Sequence, residues 1–119
     1  MNGSSAQTGK AGERMTVEWL RTQGFYICER NWRAGRYEID IIAMRWDTVH
    51  FVEVKTRRSG GWVSPHTAVD ASKIRALRRA ASAYLAMHRM SRYHIQFDLA
   101  AVETFPDGHA DLQYTENII

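Results

Sequence analysis

From Tyr37 to Met44, apolar and polar side chains follow one another as in a β-strand, whose successive residues face opposite ways. One face carries Tyr37, Ile39, Ile41 and Ala43, and the other Glu38, Asp40, Ile42 and Met44. The stretch from Val49 to Lys55 does the same, with Val52 and Val54 on one face and Phe51, Glu53 and Lys55 on the other. Asp40 and Glu53 therefore each interrupt an otherwise apolar strand. An unpaired buried carboxylate costs several kcal/mol, so its presence calls for a compensating charge.

Along the rest of the chain the periodicity changes. Ala11, Met15, Trp19 and Leu20 recur at helical spacing, predicting a helix that starts at Thr8 or Gly9 and ends at Gly24. Phe25 to Trp32 reads as a strand, Gly35 as a turn into the strand from Arg36 to Met44, and Trp46-Asp47 as a tight connection to the strand from Thr48 to Arg57. Ser59-Gly60-Gly61 opens a loop running to about His66. Asp70 suits the N-cap of a second helix, Ala71 to Arg89, whose apolar stripe is Ile74, Leu77, Ala81 and Tyr84. Strands from Tyr93 to Val102 and from Leu112 to Thr115 follow, separated by a Pro106-Asp107-Gly108 turn. The predicted order is α-β-β-β-α-β-β, an α/β fold with a central mixed β-sheet flanked by helices.

The 119 residues suit one domain with one core. Residues 1–8 are small and polar and are expected to be disordered, leaving 9–119 as the folded unit. Apolar runs are far shorter than the ~20 residues that span a bilayer, so no membrane partner is expected. The single cysteine, Cys28, fits a cytoplasmic protein and reads as a small core residue.

The net charge of +3 is unevenly spread. Nine Lys or Arg and one acid, Asp70, lie between Lys55 and Arg92; five acids and no Lys or Arg follow. A basic block suits a polyanion, although a solvated helix face has the same composition. At ~100° per residue, Arg75, Arg78 and Arg79 fall on one flank of the second helix and Lys73 on the other. Arg57, Arg58 and Lys73 are further candidates for phosphate contacts.

Asp40 and Glu53, on adjacent antiparallel strands, can meet at one hard divalent cation such as Mg²⁺, which takes oxygen ligands. Lys55 lies on the face of Glu53 about 7 Å along the strand, where it could hold a water or stabilise charge on a phosphoryl group. The same residues also fit a cross-strand salt bridge from Lys55 to Asp40 or Glu53.

The pattern Asp40, then Glu53-Val54-Lys55, resembles the PD-(D/E)xK nuclease signature, with Ile39 in place of the proline. Gly9-x-x-Gly12-Glu13, Asn31-x-Arg33, Glu38-Ile39-Asp40-x-Ile42-Ala43, Phe51 to Arg57, Ala68-Val69 before Lys73, and Phe97-Asp98 resemble the YraN-type family of small bacterial proteins. That family is one of predicted endonucleases, similar to archaeal Holliday-junction resolvases. The resemblance implies a restriction-endonuclease-like fold and a metal-dependent endonuclease acting on branched or structured DNA. The alternative is a catalytically weak or inactive nucleic-acid-binding module on the same fold. The resemblance makes Asp40, Glu53 and Glu13 ligands of Mg²⁺ or Mn²⁺ and Lys55 the catalytic lysine, with Glu38 a matching acid of less defined role.

Tyr37 stands where that family usually has glycine, and could narrow the cleft or stack on a base. Among the remaining polar residues, the five histidines show no metal-ligand spacing, Trp62 and His66 fall in the glycine-containing loop, and Asp98 reads as structural. A resolvase-like reaction needs two cuts on symmetric strands, so a homodimer is one expectation, with Trp19, Trp32, Trp46 and Trp62 as apolar material for it.

Overall fold

The structure, a computed structural model, describes residues 5–60 and 71–119. The expectations for residues 1–4, the loop with Trp62 and His66, Ala68-Val69 and the Asp70 cap lie outside the described residues.

Seven elements follow the expected order: α1 (Ser5–Thr22), β1 (Tyr26–Ala34), β2 (Tyr37–Arg45), β3 (Thr48–Arg58), α2 (Ala71–Met87), β4 (His94–Thr104) and β5 (Ala110–Thr115). Helix α1 begins at Ser5, ahead of the expected Thr8 or Gly9, because Ala6 and Gln7 are good helix formers. It ends in a Schellman motif. Gly24, at φ 89°, lets its own amide reach Arg21 O and the Phe25 amide reach Leu20 O. Helix α2 ends the same way, two residues short of expectation. Arg89 adopts the left-handed conformation at φ 55°, and the Met90 amide returns to Leu85 O.

The strands form one sheet in the order β1-β2-β3-β4-β5. Three neighbouring pairs are antiparallel, and β3 and β4 are parallel in a register running from Thr48↔His94 to Arg58↔Thr104. A parallel pair requires a crossover between its strands, and α2 lies within it. The mixed α/β sheet expected from the sequence is thus present.

Each face of the sheet is covered by one helix. On the α1 side, Val17, Leu20 and Phe25 pack against Ile41, Ala43, Val52 and Ala100. On the α2 side, Leu77, Ala81, Tyr84 and Leu85 pack against Ile39, Ile42, Phe51 and Phe97. Burying each of these large side chains contributes about 1.5–3 kcal/mol. The stripe predicted on α2 holds at Leu77, Ala81 and Tyr84, while Ile74 is only half-buried.

One expectation about β2 needs correction. Ile39 does not share a face with Ile41 and Ala43; it packs on the α2 side with Ile42. The alternation resets between Ile39 and Ile41, opposite Asn31, which takes a left-handed φ of 54°. The irregularity falls at Asp40.

Trp19 and Trp32 pack against the two cores, Trp19 near Tyr114 and Trp32 edge-on to Tyr84. Of the tryptophans expected to serve a dimer, Trp46, 83% exposed at the β2–β3 turn, is left among the described residues.

Candidate active site

The backbone ladder between β2 and β3 runs from Arg45↔Thr48 to Ile41↔Val52 and stops there. In its place the side chain of Asp40 reaches across. Its Oδ2 accepts the amide hydrogen of Val54 at 2.8 Å. This fixes one carboxylate oxygen and leaves the other for a ligand. It also satisfies an amide that would otherwise go unpaired at the end of the ladder.

Glu53, adjacent on β3, is 15% exposed at its side chain and holds three donors. The Tyr37 hydroxyl donates to Oε1 at 3.3 Å. The Lys73 ammonium, from the first turn of α2, donates to Oε2, and Lys55 Nζ lies 3.4 Å from that same oxygen. Lys73, read from the sequence as a phosphate contact, thus sits inside the cluster. Helical periodicity placed it on a flank of α2, but only the docking of α2 over the sheet shows what that flank meets.

Glu13 arrives from α1. That helix approaches β3 so closely at Gly12 that a Cβ built there would lie 2.0 Å from Thr56 Oγ1. Only glycine fits at this contact, and the next residue is Glu13. Among the described residues the buried Thr56 hydroxyl has no hydrogen-bond partner, so the contact is one of fit rather than of bonding.

The acids share one electrostatic field. Burial pushes the Asp40 carboxyl up to about 6; the Val54 amide opposes this, and the negative charges of Glu53, Glu13 and Glu38 add to it. Burial and then Glu53 likewise raise the Tyr37 hydroxyl, which stays protonated and donates. Asp40 thus feels the charges of Glu53, Glu13 and Glu38, and Lys55 and Lys73 pair with Glu53; among the described residues no three of these acids bring ligand atoms within 4.8 Å of one another. Oxygen donors of this kind suit a hard divalent cation such as Mg²⁺ or Mn²⁺. An Asp40 oxygen with no hydrogen bond among the described residues, on a carboxyl that burial holds toward its protonated form, is what such an ion would complement.

Other candidates lie apart from this cluster. Arg57 pairs with Glu103 at 3.6 Å, and Arg58 is exposed at the end of β3; Glu38, which adds to the field on Asp40, is also 4.0 Å from Arg33. Arg75, Arg78 and Arg79 are exposed on α2, with Arg78 6.0 Å from the Phe97 ring centre.

A second polar centre escaped sequence reading. Buried Asp98 accepts Tyr114 Oη at 2.5 Å, Gln96 Nε2 at 3.0 Å and the Asn117 amide at 3.1 Å, and pairs with His50 Nδ1 at 2.7 Å. Burial raises its carboxyl, but bonds from His50, Tyr114, Asn117 and Gln96 outweigh burial and hold it below the usual range. Asp98 thus ties the C-terminal segment to β3 and β4, in keeping with the structural role read for it. Among the described residues, the ligand atoms of His50, Asp98 and Glu116 lie within 4.8 Å of one another, a proximity that histidine spacing along the chain does not show.

The model of the "Uncharacterised protein family UPF0102" matches residues 12–102. This span includes every residue of the acidic cluster. The chain belongs to the UPF0102 (YraN) family. A UPF0102 protein of Syntrophus aciditrophicus (strain SB) is 41% identical over 102 residues, 86% of this chain and 80% of the relative. One from Symbiobacterium thermophilum is 41% identical over 113 residues, 95% of this chain and 96% of the relative. One from Beutenbergia cavernae is 36% identical over 110 residues, covering 92% and 93%. The UPF0102 match ends at Val102, in β4, so Tyr114, Glu116 and Asn117 of the C-terminal hub fall outside it.

Proposed function

We propose that this UPF0102 protein is a cytoplasmic, metal-dependent endonuclease that hydrolyses phosphodiester bonds in branched or structured DNA. The observation that carries the reading is Asp40, held by the Val54 amide amid the charges of Glu53, Glu13 and Glu38, with Lys55 at the rim. Asp40, Glu53 and Glu13 would hold Mg²⁺ or Mn²⁺. When bound, such an ion neutralises phosphate charge and lowers the pKa of water.

The remaining roles belong to the chain itself. Asp40 presents its free oxygen in an orientation set by a backbone amide. Lys55, 41% exposed, offers an ammonium to phosphoryl oxygens or to the attacking water. Tyr37 and Lys73 hold Glu53 in place, and Lys73 offsets its charge. Exposed arginines on α2, with Arg57 and Arg58, supply the electrostatic attraction for the backbone. No described helix is long and apolar enough to cross a membrane.

The test is purified protein with Mg²⁺ or Mn²⁺ against linear, single-stranded, flapped and four-way DNA. Metal-dependent cuts that vanish in Asp40→Asn and Glu53→Gln, with binding kept or improved, support the reading. Cleavage at the parent rate in both variants assigns the activity elsewhere. One feature favours a second reading, an inactive DNA-binding module: both Glu53 oxygens are engaged by Tyr37, Lys55 and Lys73. That reading predicts binding without cleavage. For symmetric cuts at a junction we propose a homodimer on DNA, which sedimentation with and without four-way DNA decides.

A further inference from the structure

A groove of about 480 Å³ lies between the β1–β2 turn and α2. Gly35, Arg36 and Tyr37 form one wall, and Ala76, Arg79 and Ala83 line the other. The helix side is built of alanines, which leave the space open, and the turn side has a glycine at its tip. The two long side chains at the rim are both arginines and exposed. Among the described residues neither has an ion-pair or hydrogen-bond partner.

Tyr37 belongs to two places at once. It lines the groove, its side chain packs against the core on the α2 side, and its hydroxyl donates to Glu53 at 3.3 Å. One residue thus joins the lining of the groove to the Glu53 carboxylate. An apolar slot with an aromatic wall and two guanidiniums at its rim complements a planar ring carried on an anionic backbone. Stacking on an aromatic or guanidinium plane needs a base with a free face, which a continuous duplex does not offer.

We propose that this groove binds one unpaired nucleotide adjacent to the bond to be cut, its base against Tyr37 and the alanine wall and its flanking phosphates at Arg36 and Arg79. The proposal rests on the nuclease reading above and narrows it. The preferred DNA carries a single-stranded segment at the site, as a flap, gap or splayed branch does, in place of uninterrupted duplex.

The experiment measures binding with cleavage silenced. Fluorescence anisotropy in EDTA compares a labelled oligothymidylate of about 12 nucleotides with a duplex of equal length, for the parent protein, Ala83→Trp and Arg36→Ala. Ala83 is exposed and Arg36 sits in a turn, so neither substitution enters a core; urea midpoints check that each variant is folded. Ala83→Trp should weaken single-strand binding about tenfold and leave duplex binding within about twofold, and Arg36→Ala should weaken single-strand binding in the same sense. A 5-iodouracil oligonucleotide should photocrosslink to Tyr37 in the parent and lose that crosslink in Ala83→Trp.

Equal losses on both DNA forms, or no loss in either variant, overturn the proposal. So does a change in sedimentation of Ala83→Trp with oligonucleotide binding intact, which would make the groove a contact between copies. Parent protein that binds through the groove yet cuts no DNA with Mg²⁺ or Mn²⁺ removes the nuclease reading and keeps the nucleotide site. Cleavage without groove dependence does the reverse.

Discussion

Val54 gives its amide hydrogen to the side chain of Asp40 instead of to a backbone carbonyl. The bond holds a carboxyl whose ionisation the surroundings resist. A folded pKa of about 6, above the ordinary value of 3.8, means that the folded state binds this proton more tightly than the unfolded chain does. The resulting stability is present below the unfolded pKa and is lost as pH rises through about 6.

Asp40→Asn keeps an acceptor for the Val54 amide and removes the charge. It should stabilise the metal-free protein at pH 7.5, by no more than about 3 kcal/mol. The gain should shrink as pH falls toward 4. Thermal melts of both proteins in EDTA across that range check the sign. A gain that grows on acidification would show that the charge of Asp40 is not what the fold resists.

Gly12→Ala places a methyl where Thr56 Oγ1 already sits. Helix α1 must shift, and stability should fall by about 1–3 kcal/mol. Thr56→Ala alone should cost little, because the hydroxyl it removes has no partner among the described residues. In the double variant the loss should be largely restored. Urea unfolding of all four proteins gives the coupling energy directly.

Asp98→Asn removes a buried carboxylate on which His50, Tyr114, Gln96 and Asn117 converge. The expected cost is roughly 2 kcal/mol or more at pH 7. A carboxyl held below the ordinary range contributes stability above the unfolded pKa, lost as pH falls through the lower folded value. The difference between parent and variant should therefore narrow in acid. Faster hydrogen exchange at the Asn117 amide would locate the damage at the C-terminal segment.

Replacing Arg75, Arg78 and Arg79 with alanine should weaken DNA binding and flatten its dependence on salt, by up to ~0.9 in the log–log slope per lost phosphate contact on duplex. These side chains are exposed on α2, so the urea midpoint should barely move. An unchanged slope would place the DNA on another face.

The element order was legible because β3 and α2 carry clean periodicities and β2 alternates on either side of Asp40, and Asp40 and Glu53 were conspicuous because they interrupt apolar strands. The exact face of Ile39 was not, since the alternation resets opposite Asn31, whose left-handed backbone has no unambiguous sequence signal. Lys73 was recognised as basic, but its partner is twenty residues away and is met only when α2 docks. His50 and Asp98 are separated by 48 residues and meet through a parallel register that local pattern cannot supply. Gly12 was visible as part of a motif; its reason, a contact with Thr56, was not.

The three donors on Glu53 have a consequence for how this protein varies. Tyr37, Lys55 and Lys73 come from β2, β3 and α2, yet each acts on the same carboxylate. Substitutions at these positions will not add: the effect of losing one donor depends on which of the others remain. A drifting lineage could thus exchange position 37 cheaply while both lysines stay, and the same exchange would be severe once either is gone. Single-residue scans will understate all three, and the order in which changes accumulate will matter as much as their number.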